Sequence, residues 1–300
     1  QLLPAPVRLQ QRHPRADLVA AARTFSDRLG RVDGAIAEWE SVRDRFGEDD
    51  ETVDALSDLF ARAGRWDELL ALLSRTADAA EGPRRRAQLR ALMGDVVRDR
   101  VGDPAGALEQ YRTALRDDPA NATAREGTAA LLADEAVRDH AVGLLADAYA
   151  ATDDWSLRLG LLEHRLTAAS SDLDRARLML EASTLHERRA EDPAAALRAA
   201  ARALPLAVSD PELAHAVEDE LGRLGEATGE WSPVVEAYRA AIASLDDTPR
   251  AVRLTYVLGL VLEQKVGDLD ASLASFSRVA AADRADLDAA RATVRVAAAT

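Results

Sequence analysis

Three tryptophans set the period of this chain. Trp66, Trp155 and Trp231 each open a helix-like segment behind a small or acidic turn, in AGRW, TDDW and TGEW, and 38 residues on from each stand Pro104, Pro193 and Leu269, in VGDP, AEDP and VGDL. Each interval encloses an amphipathic stretch with a basic start: RRRAQLRALMGDVVRDR, DRARLMLEASTLHERR and PRAVRLTYVLGLVLEQK. A short helix cannot bury its apolar stripe alone, so near-copies in a common phase must stack on one another. The spacing therefore predicts a solenoid of helices.

The segment Val101 to Asn121 shows how one copy is bounded. Asp103 is a side-chain acceptor just before Pro104, which gives an N-cap followed by a first-turn proline whose missing N–H costs nothing there. Ala107, Leu108, Tyr111, Ala114 and Leu115 recur at spacings of three and four on one face, and Asp118-Pro119 closes the helix. Asp192-Pro193, Asp210-Pro211, Ser232-Pro233 and Thr248-Pro249 have the same form, so all five prolines are expected at helix starts. Upstream, helices are expected over residues 16–29 with a stop at Gly30, from Asp33 to Phe46, from Asp49 to Ala63 before Gly64, and from Trp66 onward.

The expected organisation is an irregular lead-in over residues 1–15, rich in proline, and a single solenoid over 16–300. One irregularity stands out. Pro104 to Trp155 is 51 residues where Pro193 to Trp231 is 38, and the extra length holds two helical patterns, 121–133 and 136–150, in place of one. A break in strict pairing is expected near 117–154.

Composition narrows the class further. Aromatic residues make up 4% and Ile occurs only at Ile36 and Ile242, so strands are disfavoured and an all-α chain is expected. No apolar run reaches the roughly 20 residues that cross a bilayer, which points to a soluble chain without a membrane span. A net charge of -14 argues against nucleic acid or anionic lipid as a bulk partner. The absence of cysteine removes disulfides, thiolate catalysis and Cys-based metal sites. Lys265 is the sole lysine and Asn121 the sole asparagine, a bias that suggests a GC-rich, bacterial source, cytoplasmic or exported. The opening Gln and a last stretch that stops inside a helical pattern read as part of something longer.

Gly102-Asp103, Ala107, Tyr111, Ala114 and Pro119 resemble the second half of the tetratricopeptide repeat, TPR: a GD turn, a small residue, an aromatic, a second small residue and a terminal DP. The copy at 269 keeps Gly267-Asp268 and Phe276 with Ser272 and Val279 for the small residues, and the copy at 193 keeps Ala196 and Ala203 with Ala200 in the aromatic position. MGDVVRDRVGD departs from the family by one extra residue between its LG and GD positions. The resemblance implies an α-α superhelix, a TPR-like solenoid of antiparallel helix pairs whose first helices line a concave face, with a protein or peptide as partner and no catalysis. Projecting the family's groove positions gives Gln88, Arg177 and Arg253 in one row and Arg98, Glu187 and Glu263 in another. The carboxylate clamp of Lys, Arg and Asn found in that family fails here on inventory, because the only Asn falls between helices and the only Lys near a helix end.

Little in the sequence carries chemistry. His13, His140, His164, His186 and His215 form no HExxH and no i, i+4 pair, and there is no GxxxxGK[ST], GxGxxG or GxSxG, so no enzyme, cofactor or metal site is expected. Trp66, Trp155, Trp231, Tyr111 and Phe276 are expected in the core, with Trp39 in the Tyr111 position of an earlier copy. Residues 83–100 hold six Arg against two Asp, and residues 209–230 hold seven acids against Arg223. These runs are solvated faces, or patches that receive a complementary partner or meet on neighbouring copies of the chain. Asn121-Ala122-Thr123 is a formal glycosylation sequon whose Asn also fits a helix cap. The leading functional reading is a protein-interaction scaffold. The alternatives are a structural subunit of a self-assembling fibre of stacked solenoids, and a regulatory domain of a larger protein.

Overall fold

The computed structural model describes residues 14–27, 31–246, 248–283 and 286–299. The chain divides into two compact units, Gln1–Asp153 and Asp154–Thr300. Among the described residues there are helices and turns but no strand.

The first unit runs α1 (Pro14–Asp27), α2 (Val32–Phe46), α3 (Asp50–Ala63), α4 (Trp66–Ala79), α5 (Pro83–Val96), α6 (Pro104–Asp117), α7 (Ala122–Ala130) and α8 (Arg138–Ala151). The second runs α9 (Trp155–Gly160), α10 (Leu162–Ala168), α11 (Asp172–Arg188), α12 (Pro193–Ala207), α13 (Pro211–Thr228), α14 (Ser232–Ala243), α15 (Pro249–Val261), α16 (Leu269–Ala282) and α17 (Leu287–Ala297). Within each unit short turns fold most helices back on their predecessors, so neighbouring helices pack as antiparallel pairs. Within a pair the first helix is α5, α11 or α15 and the second is α6, α12 or α16.

The tryptophan register holds at the level of helix starts. Trp66 and Trp155 are the first residues of α4 and α9, Trp231 immediately precedes α14, and Pro104, Pro193 and Leu269 open α6, α12 and α16. Caps explain why the helices begin there. The Asp103, Asp192 and Asp268 carboxylates accept from the N–H groups of Gly106, Ala195 and Ala271 at 2.9, 2.8 and 3.0 Å, and the Thr248 hydroxyl accepts from Ala251 N–H at 3.2 Å. Each satisfies one donor that the first helical turn leaves open.

Four details lie outside or against the sequence expectations. Ser232 lies inside α14 and caps nothing; Trp231 takes the cap position without a side-chain bond. Pro205 sits inside α12, in its last turn, where it forgoes the bond its N–H would have made to the preceding turn. The helix opened by Trp155 is broken at Leu161, whose N–H is shared between the Leu157 and Arg158 carbonyls. Finally, α1 starts at Pro14, before the expected Ala16, while most of the proline-rich lead-in, His13 and the expected stop at Gly30 lie outside the described residues.

The extra residue between the LG and GD positions has a structural home. Val97–Val101 and Leu262–Val266 are single π-helical turns at the ends of α5 and α15. A π turn is a one-residue insertion absorbed without rotating the helix on either side. Both end in a left-handed glycine, Gly102 (φ 75°) and Gly267 (φ 78°), whose N–H returns to the carbonyl of Val97 or Leu262.

The stretch 117–154 holds α7, a 3-10 turn at Leu131–Ala133, and α8. Arg125 ties this region together, donating to the Pro119 carbonyl and to the Thr152 hydroxyl, each at 2.6 Å. The cores lie between the helix layers of each unit. In the first, Ile36, Leu56, Leu72 and Tyr111 are at most 1% exposed; in the second, Leu197, Leu204, Val217 and Leu221 are fully buried. Each such side chain contributes about 1.5–3 kcal/mol by leaving water. The alanines among them, such as Ala107, Ala196 and Ala203, let neighbouring helices approach closely.

Candidate interaction surface

The first helices of the second unit, α11, α13, α15 and α17, are joined in sequence by ion pairs. Glu187 at the end of α11 accepts two bonds from Arg223 of α13 at 2.6 and 2.7 Å. Glu218 of α13 binds Arg253 of α15. Glu263, just past α15, accepts from Arg295 of α17 at 2.8 and 2.7 Å. The partners stand 36, 35 and 32 residues apart, about one repeat, so each rung couples a helix to its counterpart in the next pair. The first unit has matching links: Arg23 of α1 to Glu51 of α3 at 2.6 Å, and Asp50 of α3 to Arg85 of α5 at 2.9 Å.

The six groove positions read from the sequence divide accordingly. Glu187, Arg253 and Glu263 are rungs of this ladder. Hydrogen bonds from Arg223 and Arg295 hold the Glu187 and Glu263 carboxyls below the usual carboxylate range, against the upward push of partial burial. Arg177 is exposed on α11 and pairs along its own helix with Asp174 at 3.2 Å. Gln88 is exposed on α5. Arg98 turns inward. It forks onto Asp99 at 2.7 and 2.8 Å and donates to the Tyr111 hydroxyl at 2.8 Å, and that hydroxyl donates to Asp95 at 2.7 Å. Arg98 is thus raised above its ordinary value, first by its bonds to Asp99, and Tyr111 is raised by burial and by Asp95.

Sequence reasoning missed the partners Arg223, Glu218 and Arg295. Opposite charges one repeat apart are the signal that would have found them. The charge runs resolve in the same way: Arg85 and Arg86 of the basic stretch reach Asp50 and Asp117, and Glu218 and Glu226 of the acidic stretch reach Arg253 and Lys265.

Two tryptophans carry a cation 34 residues ahead. The Arg100 guanidinium lies 5.2 Å from the centre of the Trp66 ring, and the Lys265 ammonium 5.5 Å from that of Trp231. In both cases the cation comes from the π turn, so the wide turn and the half-buried indole form one recurring joint. Tyr111, Phe276 and Trp39 are buried, at 0, 0 and 3% exposure. Asn121 is also largely buried, at 8%, with its side-chain carbonyl accepting from Ala124 N–H at 2.9 Å as the cap of α7. Among the described residues no group of three or more His, Asp or Glu could hold a metal ion, and no helix is long and apolar enough to cross a membrane.

A cleft of about 910 Å³ opens beside the ladder in the second unit, between the start of α15 and the end of α16. Val252, Tyr256 and Val279 give it an apolar wall, and Arg253 and Arg278 supply guanidinium groups. Tyr256 is positioned by Phe276, with ring centres 5.5 Å apart and planes tilted by 58°.

Paired antiparallel helices, a GD turn between them, and an aromatic of the second helix seated on a small residue of the first define the architecture of both units. The fold is TPR-like. No family model matches the sequence, and no curated protein does. Among solved structures, the chain is similar to a tetratricopeptide repeat protein from Parabacteroides merdae (11% identity, 94% of this chain and 98% of that one, TM-score 0.31). It is also similar to the TPR2AB domain of yeast Sti1 in complex with an Hsp90 peptide (14% identity, 95% and 98%, TM-score 0.34). A third is the Cut9–Hcn1 hetero-tetramer of the APC/C (14% identity, 96% of this chain but 57% of that one, TM-score 0.29). These overlaps are loose, and the TPR-like assignment stands on the helix pairing of the chain itself.

Proposed function

We propose that the chain is a non-catalytic scaffold that binds a protein or peptide segment in the α15–α16 cleft. The observation that carries this reading is the cleft's lining: an apolar wall of Val252, Tyr256 and Val279, with Arg253 and Arg278 and with Asp283 and Asp286 around it, suits an extended segment with an apolar anchor flanked by charges of both signs. Arg253 is held in place by Glu218, so one cation is positioned before a partner arrives. Arg177 and Gln88, exposed on first helices, are secondary contact positions. The scattered histidines and the lack of a nucleophile–base arrangement support the non-catalytic reading, and the net charge of -14 weighs against nucleic acid.

Site-specific photo-crosslinking tests this. A benzophenone amino acid at Tyr256 is expected to trap a defined protein from extracts of the native host, and one at Arg112, exposed on α6, is expected to trap none. Filling the cleft with Val252→Trp abolishes the Tyr256 product while leaving the helical circular dichroism intact. Identical products at both positions, or a product indifferent to Val252→Trp, contradict the proposal.

A further inference from the structure

The outer face of α17 is an unpaired apolar stripe with a charge pattern of its own. Ala289, Ala292 and Val296 face inward, where Ala292 and Val296 pack with Phe276 of α16. On the other side Leu287 and Val294 are 65% and 70% exposed, more than any other large apolar side chain among the described residues. They lie seven residues apart, about two helical turns, and so fall on one line along the helix. Asp288, Arg291 and Arg295 flank that line on one side, and Ala290, Thr293 and Ala297 on the other. Asp288 and Arg291 are only loosely joined, 3.5 Å apart with side chains 77% and 75% exposed, so both remain available to a partner.

We propose that this stripe is the contact between two copies of the chain, packed antiparallel about a two-fold axis that passes between Ala290 and Arg291. That axis sets Leu287 of one copy against Val294 of the other. It also keeps like flank beside like flank, which brings Asp288 of each copy between Arg291 and Arg295 of its mate. The small residues of the opposite flank let the two helices approach closely. A parallel pairing would instead set the Asp288, Arg291 and Arg295 flank of each copy beside the Ala290, Thr293 and Ala297 flank of the other and leave these charges without opposite partners across the seam. Head-to-tail stacking onto α1 meets no large apolar side chain among its described outward residues, which are Ala16, Asp17, Ala20, Arg23 and Thr24. The closed isologous pair is therefore favoured over an open fibre. Contact over about three turns is at the small end of stable interfaces, so the dimer is reversible and concentration-dependent. This inference is independent of the α15–α16 cleft.

The chain has no cysteine, so engineered thiols report the geometry without background. In sedimentation velocity the full chain moves from its 32.2 kDa monomer to a species of twice that mass as concentration rises through the micromolar range. The variant carrying Leu287→Glu and Val294→Glu stays monomeric with unchanged circular dichroism. On mild oxidation, Ala290→Cys crosslinks to itself, and a mixture of Leu287→Cys with Val294→Cys chains crosslinks far more than Leu287→Cys alone. A wild-type chain that stays monomeric throughout overturns the proposal, and the stripe then belongs to a covering segment or another protein. Oligomers that grow beyond two copies, or equal crosslinking of Leu287→Cys alone and of the mixture, overturn it in favour of stacking or a parallel pair.

Discussion

Tyr111 occupies the space that a side chain at position 94 would need: a Cβ built on Gly94 would lie 2.4 Å from its Cε1. The ring has no room to retreat, because a Cβ on Gly127 of α7 would lie 2.3 Å from its Cζ, and its hydroxyl is held between Asp95 and Arg98. Gly259 stands in the same relation to Phe276, at 2.7 Å. In the middle copy both members change together. Ser183 takes the glycine position and Ala200 the aromatic one, and both are fully buried. A larger residue on the first helix accompanies a smaller one on the second.

The first prediction is a reversal of sign between two glycines. A Cβ added at Gly143 in α8 would meet nothing within 4 Å, so Gly143→Ala stabilises by about 0.5–1 kcal/mol through helix propensity. Gly94→Ala gains the same propensity but overpacks against Tyr111 and costs about 1–3 kcal/mol. Urea unfolding of the two variants checks this.

Caps give a second contrast. Asp103→Ala and Asp192→Ala each remove a bond to the first helical turn and cost about 1 kcal/mol. Ser232→Ala, in a Ser-Pro pair that reads like the two Asp-Pro caps, changes denaturant stability by less than about 0.5 kcal/mol because no cap is lost.

How much of this was legible in the sequence depended on whether a feature is local and periodic. Helix starts at Trp66, Pro104, Pro193 and Leu269 were readable because cap chemistry and the apolar stripe act within one helix. Tyr111 and Phe276 were readable as core for the same reason. The extra residue in MGDVVRDRVGD was visible, but its π-turn geometry depends on keeping both halves of the helix in register with neighbours. The break at Leu161 and the placement of Pro205 within α12 have no periodic signature. The ladder was hidden because charged side chains cover every helix, and only the neighbour one repeat ahead decides that Glu187 meets Arg223 or that Glu263 meets Arg295.

The π turns supply a third prediction. Deleting Gln264 from Leu262–Val266 returns that turn to an α-helix and leaves α16 in its orientation, so circular dichroism and the melting temperature stay close to those of the parent chain. Deleting Val257, about two turns earlier in α15, rotates the remaining stripe by about 100° and unfolds the second unit. Thermal melts of the two deletions distinguish these outcomes.

Acid sensitivity gives a fourth. Burial alone would push Glu181 of α11 upward, but its bonds to Arg165 at 2.7 and 3.0 Å and to Arg158 at 2.5 Å outweigh it and hold the carboxyl below its ordinary value. A carboxyl depressed in the folded state stabilises the protein above the unfolded value of about 4.3, and that contribution is lost as pH falls through the folded value. Glu181→Gln therefore costs about 2 kcal/mol at pH 7, and its stability falls less steeply than that of the parent chain below about pH 5. Urea midpoints from pH 7 to about pH 3 test both statements.

Gln88 and Arg98 on the α5 side, and Arg253 and Glu263 on the α15 side, stand beside a second-helix aromatic seated on a small first-helix residue. The most direct test is a double-mutant cycle of Gly94→Ala with Tyr111→Leu, read by denaturant unfolding. The clash predicts that Gly94→Ala, costly in the parent chain, becomes neutral or stabilising once the ring is gone, a coupling of about 1–3 kcal/mol. An equal cost of Gly94→Ala in both backgrounds would contradict it.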